Sequence, residues 1–276
     1  MKDSFLISVS DITVEYRHGY PSSEDRVRCY DEYEILYVLS GRGKYIVEGR
    51  EYTIAPGSVF FISPFEYRVC ELDCESVYEF YSVRFRAEAL SSDAFLLLQK
   101  INDNKSSGVT LYTPMHISSS VISLFDRFSY AATLSACEAS VYLRSLLCEL
   151  VVLLSVCDGE IGAHREDSLG AEIMKYLNDY IDRDIPLDKL ARRFFISKYH
   201  LCRAFKAHSG VSVHSYVRHK RIMYAKQLIE SGETAQRASD RVGFGDYSAF
   251  YRAYVKIVGR SPSAKGEEAD YVLSLS

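Results

Sequence analysis

A chain of 276 residues is long enough for two domains. The formal net charge of −4 conceals an uneven distribution, because residues 169–276 have 18 Lys and Arg against 12 Asp and Glu, whereas residues 1–168 have 15 against 25. A basic C-terminal third beside an acidic remainder suits one domain that binds a polyanion and one that stays away from it, although two ordinary solvated surfaces would carry the same charges.

Cysteine usage and hydropathy exclude several classes of protein. The seven Cys are an odd number without Cys-x-x-Cys spacing, so we expect reduced thiols in a cytoplasmic protein rather than a disulfide framework. The most apolar run, 150–156, is too short to cross a bilayer, and the run at 5–9 is too short for a targeting segment. No membrane partner is expected.

The N-terminal half contains short runs rich in β-forming residues. From Tyr33 onward these runs cover 34–39, 44–47, 52–54 and 59–62, and turns containing Gly or Pro separate them. Strands at this short, regular spacing predict a small antiparallel barrel or a double sheet.

Aromatic residues on or beside these strands are candidates for a ligand pocket. Aromatic faces combined with Arg17, Arg28 or Arg84 can bind a sugar or a small acid, while the simpler interpretation is that each Tyr fills a β core. Residues 19–115 contain no His, so we predict no metal site, no cofactor and no catalytic residue. The candidate effector-binding residues are Tyr16, Arg17, Tyr30, Glu34, Tyr37 and Tyr45.

Two helices are predicted after the strands, over 119–131 and 136–156. The second helix has two apolar stripes, and two stripes require two partners. One stripe is expected to face the barrel. The other either faces the same helix of a second protomer in a two-fold homodimer or packs within its own domain. The stripes are Tyr142, Leu146, Leu150 and Leu153, and Leu143, Leu147, Val151 and Leu154.

The polar, Gly-bearing stretch 158–170 is predicted to be a linker. It divides the chain into an effector-binding and dimerisation domain over 1–157 and a DNA-binding domain over 171–276.

The stretch 187–229 has the layout of a helix, a tight turn, a second helix and a long third helix. Residues 187, 190, 191 and 194 form the buried stripe of the first helix, and Phe195-Ile196 is the turn. Ser197 is the expected N-cap of the second helix, and Gly210 is placed to end it in a left-handed conformation. This is the organisation of a helix-turn-helix unit.

A long helix is predicted over about 212–230, and a second, weaker helix-turn-helix unit follows over 234–259. Gly243-Phe244-Gly245 is its turn, and Asp246 is the expected N-cap of its second helix. At 1.5 Å per residue the long helix spans about 30 Å, close to the ~34 Å turn of B-DNA. Two units on such a helix predict contact with two successive major grooves.

Outward-facing residues of the two recognition helices are the candidate DNA contacts. Tyr199, Arg203 and Lys206 share one ridge, with Arg203 suited to guanine and Lys206 to phosphate. The full set is Ser197, Lys198, Tyr199, His200, Arg203, Lys206, Asp246, Tyr247, Ser248, Tyr251 and Arg252.

In order and spacing, the C-terminal residues resemble the AraC/XylS family of bacterial transcription regulators. The second unit departs from the family pattern: its first helix has Ala235, Ala238 and Ser239 at positions that the family fills with larger apolar residues and an Ala. Tyr254-Val255-Lys256 is less basic than usual, and Lys265-Gly266 replaces a Tyr-Arg pair. We therefore expect the second unit to be the weaker one. The matching segments are 187–191, Ser197, Leu201, Phe205-Lys206, 210–212, Tyr216, Arg221-Ile222, Ala225, Leu228, 242–244, Phe250, Gly259 and Ser261-Pro262.

The run 34–43, the Pro-Gly-Ser turn at 56–58 and Pro64 resemble the cupin-like sensor domain that many members of this family carry. The expected fold is a two-domain α+β chain, with an N-terminal cupin-like antiparallel β-barrel, its dimerisation helices, and a C-terminal all-α domain of tandem helix-turn-helix units.

The resemblance implies a sequence-specific, effector-responsive transcriptional activator rather than an enzyme. Its implied partners are double-stranded DNA, a small-molecule effector, RNA polymerase and a second copy of the chain, with repression as the alternative sign of regulation. Two other hypotheses are a sugar-modifying cupin enzyme with an appended module, and a constitutive DNA-binding protein whose barrel only dimerises.

Overall fold

The computed structural model describes residues 4–20, 27–48, 50–73, 76–103, 110–113, 119–157, 160–161, 169–183, 185–263 and 272–275. The strands in these ranges are β1 Phe5–Val9, β2 Ile12–Gly19, β3 Val27–Arg28, β4 Tyr33–Ser40, β5 Gly43–Val47, β6 Arg50–Ile54, β7 Val59–Ile62, β8 Arg68–Leu72, β9 Tyr78–Phe85, β10 Thr110–Tyr112, β11 Glu160–Ile161 and β12 Val272–Leu275. The helices are α1 Ser92–Asp103, α2 Ser119–Phe128, α3 Ala136–Ser155, α4 Leu169–Asp179, α5 Leu187–Arg193, α6 Lys198–Ser209, α7 Val213–Glu230, α8 Ala235–Arg241 and α9 Tyr247–Val258.

The N-terminal strands form two antiparallel sheets, which confirms the predicted double sheet. The larger sheet has the order β11-β10-β7-β4-β9-β2-β1-β12, and the smaller has the order β3-β8-β5-β6. An aromatic-rich core that includes Tyr45, Tyr52 and Phe60 fills the space between them. The four strand runs predicted from the sequence lie within β4 to β7, whereas the other strands were not predicted.

Strand β4 is buried on both faces. Leu36 and Val38 point towards the smaller sheet, and Ile35 and Tyr37 point towards the helices, because successive side chains of a strand alternate. Tyr37 therefore stacks on Phe125 of α2, with 4.8 Å between ring centroids.

Helix α3 is enclosed by its own domain. Both predicted stripes pack inside the protein, where Leu143, Leu147 and Leu150 are fully buried against α1, α2 and the larger sheet. The structure thus supports the alternative in which neither of these stripes needs a second protomer. A different, narrower stripe remains outside and contains Val141 and Val152.

The expected linker is only partly within the described residues. Glu160–Ile161 pairs with β10 as a short strand, and α4 already begins at Leu169, so these parts of 158–170 are ordered secondary structure. Residues 158–159 and 162–168 lie outside the described ranges. At the other end of the chain, β12 pairs with β1 of the N-terminal sheet, although the sequence analysis placed it in the C-terminal domain.

Helices α5 to α9 form where the caps and apolar spacing predicted them, whereas α4 was not predicted. Ser197 and Asp246 accept backbone N–H groups at the starts of α6 and α9, and Gly210 ends α6 at a φ of 78°. Gly170 lets α4 approach α6 closely, because a Cβ at this position would lie 2.8 Å from the carbonyl oxygen of Ala204. Two apolar clusters result, one around each helix-turn-helix unit.

Candidate nucleic-acid interface

The candidate contacts of the first helix-turn-helix unit lie together on the outer face of α6. Ser197, Lys198, Tyr199, His200, Arg203 and Lys206 are all exposed, and the ring of Tyr199 is 76% exposed. The Ser197 hydroxyl accepts the backbone N–H of His200 at 3.2 Å, and Lys198 pairs with Asp188 at 2.7 Å. Aromatic, cationic and hydrogen-bonding side chains are thus available on one ridge of the size that a major groove admits.

The second unit presents a smaller surface on α9. Asp246, Ser248, Tyr251 and Arg252 are exposed, while Tyr247 is half-buried against the Phe250 ring, 5.7 Å between centroids. Both carboxylate oxygens of Asp246 accept backbone N–H groups of its own helix, so this side chain is occupied as a cap.

A buried serine weakens the second unit. Ser239 is fully buried, and its hydroxyl has no hydrogen-bond partner among the described residues. Burying an unsatisfied hydroxyl costs about 1–3 kcal/mol. The sequence has Ser239 where the family pattern has Ala, and this difference therefore lowers the stability of the second unit.

Arg221 joins the two units. Its guanidinium donates from Nε to the Ile181 carbonyl at 2.8 Å, from Nη1 to the Gly243 carbonyl at 2.7 Å, and from Nη2 to the Arg183 carbonyl. These carbonyls belong to the segment between α4 and α5 and to the turn of the second unit. Helix α7, with 18 residues, spans about 27 Å between the units. Arg221 and α7 therefore both contribute to the relative orientation of the two units, together with Ile257, which packs against the cores of both.

The candidate effector-binding residues do not form one cluster. Tyr30, Glu34 and Tyr45 surround a chamber of only about 30 Å³ between the two sheets. Tyr16 and Arg17 line a separate cavity of about 290 Å³ at the edge of the sheets, which we call the mouth. Tyr37 lies on the opposite face of β4, where it packs against α2, and so it touches neither cavity.

A buried ion pair occupies the chamber. The Glu34 carboxylate forms an ion pair with the guanidinium of Arg68. It also accepts a hydrogen bond from the Ser82 hydroxyl, with 2.5 Å between the two oxygens. Burial alone would raise the pKa of Glu34, but the charge of Arg68, the hydrogen bonds from Arg68 and Ser82 and the charge of Arg84 together outweigh it. The pKa is therefore below its usual value. Sequence analysis missed Arg68, because the strand that places it opposite Glu34 was not predicted.

The mouth is cationic. Arg17, Arg28 and Arg84 line it together with Glu15. Arg28 donates to the Tyr30 hydroxyl at 2.9 Å, and the guanidinium of Arg84 lies 4.6 Å from the centre of the same ring. Because Arg28 also borders the chamber, the two cavities adjoin at this side chain.

Residues 28–31 and 67–70 have one face towards the chamber and the other towards the DNA-binding domain. Arg28, Tyr30, Arg68 and Cys70 line the chamber. Cys29, Tyr67 and Val69 belong to the apolar core of the first helix-turn-helix unit. Burial raises the pKa of the Cys29 thiol to about 12. A single layer of backbone thus separates the chamber from the DNA-binding domain.

Glu48 is the main polar contact between the domains. Its carboxylate accepts the Tyr216 hydroxyl at 2.7 Å and the backbone N–H of Tyr67 at 2.7 Å, and it pairs with Lys220 at 2.6 Å. Burial and Glu48 raise the pKa of Tyr216 well above its ordinary value. These groups hold α7 against the smaller sheet.

A second set of ion pairs lies further along α7. Lys226 pairs with Asp31 at 2.7 Å, and Arg86 pairs with Glu230 at 3.0 Å. Glu230 also pairs with Arg260, which follows α9. The N-terminal domain is therefore tied to both helix-turn-helix units, while the ridge of α6 remains exposed.

Within the described ranges there is no group of three or more His, Cys, Asp or Glu that could hold a metal ion. In the same ranges, no helix combines the length and the apolar character that crossing a membrane requires.

Two family models match the chain. Residues 14–147 match the AraC-like ligand binding domain, and residues 190–266 match a helix-turn-helix domain. The activator RhaS of Salmonella paratyphi A is 25% identical over 269 residues, which cover 94% of this chain and 93% of that protein.

A shorter match is closer in sequence. The MmsAB operon regulatory protein of Pseudomonas aeruginosa is 33% identical over 123 residues, which are 44% of this chain, and the matched part spans 38% of that relative. Among solved structures, unsaturated fatty acid bound ToxT from Vibrio cholerae aligns over 95% of both chains with 13% identity and a TM-score of 0.40.

Proposed function

Because this chain belongs to the AraC family of transcription regulators, with an N-terminal ligand-binding domain and a C-terminal DNA-binding domain, we propose that it reads two successive major grooves with α6 and α9. The observation that carries this proposal is the Arg221 contact, which ties both units to one connecting helix. A fixed separation between recognition helices is what simultaneous reading of two grooves on one face of DNA requires.

The two units contribute unequally. The ridge of α6 presents Tyr199, Arg203 and Lys206, all exposed. On α9 the ring of Tyr247 is half-buried against Phe250, which leaves a smaller exposed surface. Arg203 reads a guanine and Lys206 contacts a phosphate. The second unit adds affinity through Tyr251 and Arg252.

A selection from random DNA with the full chain tests this function. We expect an enriched site with two boxes about ten base pairs apart, the spacing of successive major grooves. Arg203→Ala should weaken binding by about 1–3 kcal/mol and relax one base position in the first box. Equal weakening on all sequences would mean that Arg203 contacts only phosphate, and enrichment of a single box would refute the two-groove reading.

The mouth is the proposed effector site, and its effector is a small organic acid. Arg17, Arg28 and Arg84 supply the guanidinium groups that bind a carboxylate in a bidentate manner, and Tyr16 lies at the border of the mouth. The chamber itself has room only for one or two waters, because its own side chains fill it.

Effector binding is proposed to act on DNA binding through residues 28–31 and 67–70. A ligand that moves Arg28 also moves Cys29, which follows it in the chain and packs against the first helix-turn-helix unit. A coupling free energy requires only that the effector makes different contacts in two states of the protein that differ in DNA affinity, so this short path needs no change in fold.

The active species is proposed to be a homodimer that pairs through the exposed stripe of α3. Val141 and Val152 are 65% and 45% exposed and lie on one side of the helix, so a second copy would cover them. The names of the similar RhaS proteins, which are transcriptional activators, support activation as the sign of regulation. RNA polymerase is the further partner that activation requires. We propose that the first domain covers 1–157, the linker 158–170 and the second domain 171–276. Two elements modify these limits: α4, which begins at Leu169, belongs to the second domain, and β12 pairs with the sheet of the first domain.

A further inference from the structure

A further cavity lies in the DNA-binding domain, away from the mouth. It is a cleft of about 510 Å³ between the two helix-turn-helix units, bounded by α4, the segment that follows it, α7 and α9. We call it the inter-unit cleft. Its volume falls within the range of cavities that hold small-molecule ligands, about 300–1,000 Å³.

The rim of the inter-unit cleft is cationic. Arg183, Arg218, Arg252 and Lys256 are exposed on it, and none of its described lining residues is acidic. Arg218 donates to the His214 ring at 3.2 Å, and burial together with Arg218 and Arg221 lowers the pKa of His214. Within the described residues neither Arg252 nor Lys256 has a carboxylate partner. An anion would complement these charges.

The floor of the inter-unit cleft is apolar. It is formed by Leu177, Ile181, Ile185, Val213, Val217 and Phe244. A DNA backbone would engage the cations on the rim, but a phosphate or a deoxyribose gains little from an apolar floor below them. A ligand with an apolar body and one charged end uses both surfaces.

We propose that the inter-unit cleft binds an amphipathic carboxylate, whose apolar body covers Val217 and Phe244 and whose carboxylate pairs with Arg218 and Lys256. Such a ligand lies beside Arg252, a candidate DNA contact of the second unit, and beside the Gly243 carbonyl that Arg221 holds. Its binding therefore alters DNA reading by the second unit directly, independently of the N-terminal domain.

Calorimetric titration of the full chain with octanoate tests this proposal, with acetate and 1-octanol as head-only and tail-only probes. The test variant is Arg218→Gln with Lys256→Gln, which removes two exposed cations from the rim. The matched control is Arg237→Gln with Lys189→Gln, which removes the same charges from exposed positions outside the cleft. Thermal unfolding verifies that all variants are folded.

We expect saturable octanoate binding to the wild type and the control, at least tenfold weaker binding to the test variant, and at least tenfold weaker binding of acetate and 1-octanol. Octanoate should also weaken binding to two-box DNA more than to first-box DNA. Unchanged octanoate binding in the test variant would place the site elsewhere and overturn the proposal. Absence of octanoate binding, combined with weaker and less salt-dependent DNA binding in the test variant, would assign the rim to DNA phosphates instead.

Discussion

Phe195, in the turn of the first helix-turn-helix unit, has an unfavourable backbone conformation. Its φ is +54°, and its side chain is 95% exposed. The second unit has Gly243 at the equivalent turn position, where φ is +78°. A left-handed conformation costs a residue with a Cβ about 1–2 kcal/mol. Because the Phe195 ring packs on almost nothing, no burial compensates for this cost.

Replacing Phe195 by Gly should raise the free energy of unfolding, by up to about 1 kcal/mol once the greater flexibility of Gly in the unfolded chain is subtracted. Urea unfolding of the full chain measures the change. Phe195→Ala is the matched control, since it removes the ring and keeps the Cβ. A gain of the same size in Phe195→Ala would show that the exposed ring, not the backbone, is responsible.

Ser239 is a polar residue in an apolar environment. Its hydroxyl is buried beside Ala238 in the core of the second unit. Ser239→Ala should raise the free energy of unfolding by about 1 kcal/mol, because the unsatisfied hydroxyl disappears and no cavity larger than one oxygen is left. Thermal unfolding is the measurement, and exposed Ser248→Ala is the control. A loss of stability would show that the hydroxyl has a partner after all.

At the scale of elements, the units of the DNA-binding domain depend on the connecting helix. In the described residues of the segment between α4 and α5, and in the turn of the second unit, no strand or helix holds the two together. The Arg221 fork joins them through backbone carbonyls, and the planar geometry of a guanidinium is what allows three donors to act at once.

Arg221→Lys keeps the positive charge and removes the planar guanidinium that donates the three hydrogen bonds. We expect the free energy of unfolding to fall by about 2 kcal/mol, since hydrogen bonds from charged groups contribute roughly 1.5–3 kcal/mol each and a Lys can replace only part of them. DNA with two boxes should lose more affinity than DNA with the first box alone. The control is Arg237→Lys, at an exposed position on α8. Equal losses on both DNAs would mean that Arg221 does not set the spacing of the units.

At the scale of the whole molecule, the N-terminal domain packs against α7 of the DNA-binding domain, away from the exposed ridge of α6. Lys220 of α7 is turned towards the N-terminal domain, because its ammonium group pairs with Glu48 and its side chain is only 14% exposed. The recognition ridge of α6 is left free. Docking therefore leaves the recognition ridge of α6 uncovered, although Cys29, Tyr67 and Val69 pack against the core of the same unit.

Glu48→Gln should weaken this docking strongly. Removing one member of a largely buried, hydrogen-bonded charge pair costs about 2–5 kcal/mol, because Lys220 is left without its partner. In scanning calorimetry we expect one cooperative transition for the wild type and two separated transitions for the variant. Glu149→Gln is the control, since it breaks the exposed pair with Arg127 and should change little. A single transition in Glu48→Gln would show that the apolar contacts alone hold the domains.

In the DNA-binding domain, helices α5 to α9 could be predicted from the sequence, whereas α4 was not predicted. The backbone hydrogen bonds of a helix join residues that are close in sequence, so local signals predict it. These signals were the apolar spacing, the N-caps Ser197 and Asp246, and Gly210 at the end of α6. Strands β4 to β7 were predicted for the same reason, because short turns join them.

Contacts between residues far apart in the chain were decided only by the tertiary structure. Glu48 meets Tyr216 across 168 positions, and Arg68 meets Glu34 only once β8 and β9 are in place. Tyr37 had the right residue type for a pocket, but strand alternation turned it towards α2. The sequence by itself determined which helices and caps form, because those interactions are local. Which faces are covered, and what holds the two domains together, depended on partners that no local pattern identifies.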